Sequence, residues 1–81
     1  MEIKEKVRGF ITTNFYVPDP TTLKDEDSLL DRGIIDSTGV LEVIGFLEET
    51  FAITVGDEEM LPENLDSVAN ISAFVARKSG S

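Results

Sequence analysis

The stretch Asp36-Ser37-Thr38-Gly39-Val40-Leu41-Glu42-Val43-Ile44-Gly45-Phe46-Leu47-Glu48-Glu49-Thr50-Phe51 decides how the chain is read. Asp36 is a good helix N-cap, because its carboxylate can accept from the free N–H groups of a first turn. Helical signals then continue to Phe51. At about 100° per residue, Val40, Val43, Ile44, Leu47 and Phe51 share one arc. Ser37, Leu41, Gly45 and Glu48 fall on a neighbouring arc that faces outward, and Thr38, Glu42 and Glu49 extend it. One side of this helix is therefore core. The other is a surface with a hydroxyl at its head and carboxylates along its length.

Towards the N-terminus, Ile3, Val7, Phe10 and Ile11 lie at i, i+4, i+7 and i+8 and make one apolar face of a helix over about residues 2–15. Tyr16-Val17-Pro18-Asp19-Pro20 stops it, since a proline ring cannot continue the helical ladder. A long connection then reaches Asp36. A loop of that length in a compact domain is either functional or holds a short helical turn, and Leu29 and Leu30 are expected to pin it to the core. Towards the C-terminus, Asp57-Glu58-Glu59 opens a single helical turn with its acids at the favourable end, and Pro62 limits how far it goes. A last helix begins with Asp66 or Ser67 as cap. Val68, Ile71, Phe74 and Val75 form its apolar stripe, and Arg77 and Lys78 complement the dipole at its end. Ala52-Ile53-Thr54-Val55 is the one strand-like run, and a single short run has nothing to pair with. The expectation is an all-α fold, with one domain over residues 1–78 and a flexible tail over 79–81.

Composition narrows the chemistry. The chain has 81 residues, 16 acids against 7 bases, no Cys and no His. A domain this small buries only about 60% of the surface its unfolded chain exposes, so its stability is modest. Without Cys there is no thiol nucleophile or thiolate metal site. Without His the usual general base and most zinc sites are missing. The acid excess argues against nucleic acid, which needs a basic footprint. No apolar run approaches the roughly 20 residues that span a bilayer, and the start of the chain has no signal-peptide core. A soluble, cytoplasmic, monomeric protein without catalysis of its own is expected. Asp25 and Asp27 have the first two spacings of an EF-hand loop, but the Gly and the closing Glu are absent, so no metal site is expected.

The charge is unevenly placed. Residues 33–76 hold nine acids and no base. Such a one-signed field attracts basic partners and speeds their association. A charge run is ordinarily just a solvated face. Here the acids share a helix face with an exposed hydroxyl, which favours a binding role.

Taken alone, Asp36-Ser37 is an ordinary helix start. A phosphate ester on Ser37 would nonetheless be stabilised there by unpaired N–H groups and the positive end of the dipole. The surrounding sequence adds to this. Over roughly residues 3–76 the chain resembles the acyl carrier protein family, in length, in helix order and in its Asp36-Ser37 pair, which is similar to the family's attachment signature. Glu42, Glu48, Glu49 and Phe51 match the pattern of its second helix, and Asp57-Glu58-Glu59 is similar to its acidic third-helix start. The resemblance implies a four-helix bundle with a long first loop and a short third helix. It implies that Ser37, beside the helix cap Asp36, bears 4′-phosphopantetheine, placed there from coenzyme A by a phosphopantetheinyl transferase. The thiol of that group would hold an acyl cargo as a thioester, so a chain without Cys borrows its sulfur. Partners would be a loading ligase and acyl-transferring enzymes of lipid or specialised acyl metabolism, docking through basic patches. Thr38, Leu41, Glu42, Gly45, Glu48, Glu49, Asp57, Glu58 and Glu59 would face them. Val43, Ile44, Leu47, Phe51 and Ile71 could line an acyl cleft, although ordinary core packing accounts for each.

The chain departs from the fatty-acid carriers at three positions. Thr38 stands where those usually have Leu, Gly39 where an acid is common and Gly45 where a larger apolar residue is usual. Each change removes surface that a fatty-acid synthase partner would touch. The Asp36-Ser37-Thr38-Gly39 pattern is also similar to that of stand-alone D-alanyl carriers. A specialised carrier with its own adenylating ligase is therefore expected, with an aminoacyl or peptidyl carrier as the alternative. The reading from a different class is an acidic helical adaptor that binds basic proteins without a prosthetic group.

Overall fold

Four α-helices follow one another in the computed structural model, which describes residues 2–17 and 19–79: α1 (Glu2–Asn14), α2 (Ser37–Phe51), α3 (Pro62–Leu65) and α4 (Val68–Lys78). Single 3-10 turns stand at Pro20–Thr22 and Asp57–Glu59, and no strand occurs among the described residues. Pro18 and the tail residues Gly80 and Ser81 lie outside the described residues. Pro62 opens α3, where its missing N–H costs nothing. It had been expected only to limit the preceding turn. Of the two expected caps for α4, Ser67 is the one used: its hydroxyl accepts from the Asn70 N–H at 3.0 Å.

Val7 and Ile11 of α1, Val43 and Leu47 of α2, and Val68, Ile71, Phe74 and Val75 of α4 are buried in one core. α1 and α2 face each other through rings. Phe10 stacks on Phe46 with centroids 4.1 Å apart, Phe15 meets Phe10 edge-on at 5.9 Å, and Phe51 meets Phe46 edge-on at 6.0 Å. Phe46 falls outside the arc that periodicity marks as core. Its ring is half-buried because a facing ring on α1 reaches it.

The long connection is held by polar bonds at its middle. The Asp25 carboxylate pairs with Arg8 at 2.6 Å and Lys4 at 3.2 Å, and the Asp25 carbonyl accepts from the Ala69 N–H at 2.8 Å. The Asp66 carbonyl accepts from the Leu29 N–H at 2.6 Å, while its carboxylate accepts from the Ser28 hydroxyl at 2.6 Å and the Leu30 N–H at 2.9 Å. Gly33 takes a left-handed φ of 73° that glycine adopts without strain, and the chain turns there into buried Ile34 and Ile35. The short helical turn expected in this loop is the one at Pro20–Thr22. Of the two leucines only Leu29 enters the core, where Leu23, Ile34 and Ile35 of the same loop are also buried. Leu30 is 40% exposed, because the turn sends consecutive side chains in different directions.

Leu29→Ala should therefore remove about 2–5 kcal/mol, a large part of the roughly 4–12 kcal/mol expected of a chain this size. Leu30→Ala should shift the urea midpoint little. Equal shifts for the two variants, followed by circular dichroism, would contradict this account of the loop.

Candidate functional site

Ser37 is the first residue of α2 and is exposed. Its position is set by its neighbours. Asp36 is extended, with φ −115° and ψ −172°, and its Oδ1 accepts from the Gly39 N–H at 2.7 Å. The Asp36 carbonyl accepts from the Val40 N–H at 3.0 Å. The first turn is thus closed on both sides of Ser37, and its remaining N–H groups look out of the helix end with the dipole behind them.

Beside Ser37 lies an open, mainly apolar cavity of about 300 Å³, lined by Leu30, Ser37, Val40, Leu41, Met60, Leu61, Pro62 and Leu65. α2 forms one wall and residues 60–65 form the other. Leu41 is 61% exposed and Leu61 42%, so the rim itself is apolar. None of the expected cleft residues Val43, Ile44, Leu47, Phe51 and Ile71 lines it. Val43, Ile44, Leu47 and Ile71 are closed into the core, and half-buried Phe51 belongs to the row of rings. Apart from Leu41, sequence reasoning missed this wall. Leu30 and Met60-Leu61-Pro62 are apolar residues outside any helical stripe, and that misfit was the available signal.

The outward face of α2 is placed largely as expected. Thr38, Leu41, Glu42, Gly45 and Glu49 are exposed, as are Asp57 and Glu58 beyond the helix. Two of the acids read as outward have inward work. Glu48 is half-buried and its Oε2 accepts from the Val55 N–H at 2.9 Å, which ties the end of α2 to the chain that follows. Glu59 accepts from the Gly56 N–H at 2.9 Å and from the Lys78 ammonium at 2.9 Å. Gly39 also departs from expectation. It is buried, so it does not reshape an outer surface.

Glu59 and its neighbours anchor the wall of the cavity. Asn64 Nδ2 donates to the Glu59 carbonyl at 3.0 Å, and Arg77 donates to Asn64 Oδ1 at 3.1 Å. Residues 56–64 are thereby fastened to the C-terminal end of α4. The Gly56 N–H and then Lys78 hold the Glu59 carboxyl below its ordinary value. The Arg8 guanidinium and then Lys4 do the same for Asp25. Among the described residues no group of acids is gathered in a way that could hold a metal ion.

Comparison with known proteins gives whole-chain similarities. The acyl carrier protein of Akkermansia muciniphila is 36% identical over 78 residues, covering 96% of this chain and 94% of that protein. The D-alanyl carrier protein of Streptococcus suis is 35% identical over 75 residues, covering 93% of this chain and 92% of its own. A probable acyl carrier protein, PigG, from Serratia sp. is 25% identical over 75 residues, covering 93% and 86%. No protein-family model matches the chain.

The Glu59 latch has a definite pH signature. A carboxylate whose pKa is lowered by folding adds stability above its ordinary pKa, and that stability is lost as the pH falls through the lowered value. Glu59→Gln should therefore be less stable than wild type near neutral pH. The difference should shrink as the pH drops below the ordinary glutamate value and vanish under strong acid. Urea midpoints of both proteins across about pH 3–7 check this, and a gap of constant size would refute it.

Proposed function

This chain belongs to the acyl carrier protein family, and on that premise we propose that Ser37 bears 4′-phosphopantetheine and carries an apolar acyl group between partner enzymes. The observation that supports this best is an exposed hydroxyl at a capped helix start, on the rim of an apolar cavity. The residues present fit the group. A phosphodiester on Ser37 Oγ would sit at the positive end of α2, where first-turn N–H groups favour an anion. In loading, the Ser37 oxygen forms a bond to phosphorus as a P–O bond of the coenzyme A pyrophosphate breaks. The nucleotide leaves, and the hydroxyl proton passes to a base of the transferase. When bound, the group supplies the thiol on which cargo is carried as a thioester.

The chain's own residues hold and present. Asp36 fixes the first turn through Gly39. Leu30, Val40, Met60, Leu61 and Leu65 offer an apolar recess next to the attachment point. Glu42, Glu49, Asp57 and Glu58 face outward without a cation among them, which suits loading and transferring enzymes with basic docking faces. We read the chain as a monomeric cytoplasmic carrier without catalysis of its own, served by a dedicated adenylating ligase. The similarity to D-alanyl carrier proteins keeps an aminoacyl cargo as the second reading. The apolar lining favours the acyl one, because an ammonium in that recess would lose its hydration without a partner.

Incubation with coenzyme A and a broad-specificity transferase should add one phosphopantetheinyl group, read by intact mass, and Ser37→Ala should gain nothing. Equal gain in the two proteins would remove Ser37 from the role. A medium-chain acyl cargo should then raise the Tm of the loaded protein, whereas D-alanyl should leave it near that of the unacylated form. A rise with D-alanyl alone would reverse the choice of cargo.

Docking is tested separately. Glu42→Lys with Glu49→Lys should lower kcat/KM for loading roughly tenfold at low salt and much less at high salt, as electrostatic steering is screened. Glu48 is unsuited to such a test, since changing it would also break its bond to the Val55 N–H. An unchanged kcat/KM in the double variant at low salt would remove the docking role.

A further inference from the structure

We propose that the contact between the Phe15 ring and Gly39 sets the position of the Ser37 hydroxyl for loading, which makes both of them positioning residues. The proposal rests on the reading of Ser37 as the attachment residue. Gly39 lies two residues after Ser37, inside the first turn of α2. A Cβ on it would stand 2.9 Å from Phe15 Cε1, 3.3 Å from Ile35 Cγ2 and 3.4 Å from Asp36 Oδ1. Carbon atoms pack best at about 3.5–4.0 Å, so the ring is seated on the Gly39 backbone with no room for a methyl group. The same residue donates its N–H to Asp36 at 2.7 Å. One residue thus takes the cap bond on one side and an aromatic ring on the other.

The Phe15 ring is half-buried and has a second ring behind it. Phe15 stands edge-on to Phe10, Phe10 stacks on Phe46, and Phe46 meets Phe51. This row of rings joins α1 to α2 and ends at the turn that carries Ser37. Ile35 is buried in the core. Asp36 is the exposed one of the three neighbours. A side chain at position 39 therefore has to displace the Phe15 ring or shift the first turn of α2. Helix propensity runs the other way, since alanine suits a helix better than glycine. The glycine answers to the ring.

Group transfer needs the attacking oxygen held in line with the bond that breaks. A misplacement of about 1 Å is enough to slow such a step strongly. Because Gly39 is buried, a methyl there adds no new group to the surface that the transferase meets, and its effect is on the placement of the turn. The effect should accordingly appear in kcat rather than in KM.

The test uses the whole chain, coenzyme A and a broad-specificity transferase, with initial rates read by intact mass at a temperature where each variant is folded. Gly39→Ala should lose roughly tenfold in kcat while KM stays near that of wild type. Gly39→Ala with Phe15→Leu should recover most of the loss, because leucine vacates the space that the methyl needs. Phe51→Leu disturbs the far end of the same row and should keep the wild-type kcat. Amide exchange at residue 39 should quicken in Gly39→Ala and slow again in the double variant. Wild-type kcat in Gly39→Ala, no recovery in the double variant, or an equal loss in Phe51→Leu would overturn the proposal. Should Gly39→Ala not fold, Phe15→Leu against Phe51→Leu decides: a loss of kcat confined to Phe15→Leu supports it, and equal rates overturn it. Failure of the wild type itself to load would count against Ser37 as the attachment residue and is thereby told apart.

Discussion

Three hydrogen bonds that converge on Asp66 hold the long first loop, and the placement of Ser37 depends on them. The loop has no regular ladder to satisfy its backbone, so its polar groups need partners elsewhere. Asp66 accepts from the Leu29 and Leu30 N–H groups and from the Ser28 hydroxyl. Leu29 enters the core at the same point, and its carbonyl then accepts from the Ile34 and Ile35 N–H groups at 3.0 and 3.3 Å. The next residue is Asp36, the cap of α2. A residue just before α4 thus fixes where α2 begins. Ser37 is on a helix end, but the address of that end is written in a loop and its anchor.

The acid excess divides into two kinds of carboxylate. Glu48, Glu59 and Asp66 accept backbone N–H groups and are parts of the fold. Glu42, Glu49, Asp57 and Glu58 stand outward and leave negative charge on the surface. A family that passes cargo between enzymes needs short-lived encounters, and steering by exposed charge gives fast association without great affinity. The cations close the other side of the account: Arg8, Arg32 and Lys78 are paired with Asp25, Asp27 and Glu59. The basic residues therefore largely serve folding, and the surplus acids remain at the surface.

Local signals proved sufficient wherever the cause was local. The stripes of α1, α2 and α4, the cap at Asp36 and the absence of a strand among the described residues all follow from spacing and side-chain chemistry within a few residues. Reading failed where a distant group decides. Leu29 and Leu30 look alike in sequence, yet one is core and the other lines a cavity wall. Glu48 and Glu49 look alike too, and Val55 selects the first. Phe46 lies off the helical stripe and is partly covered because Phe10 stacks on it from α1.

The sequence by itself determined a small all-α domain, a capped helix with a hydroxyl at its head and a segment of unrelieved negative charge. It did so because helix periodicity, capping and charge are properties of neighbours along the chain. The tertiary structure alone decided that the cavity beside Ser37 is walled by residues 60–65 rather than by the buried face of α2. It also decided that Gly39 lies against the Phe15 ring just beyond α1 and that part of the acid excess holds the fold. Those outcomes depend on which side chains and backbone groups meet outside a single helix, where packing and hydrogen-bond satisfaction, not local propensity, choose among the arrangements that the pattern permits.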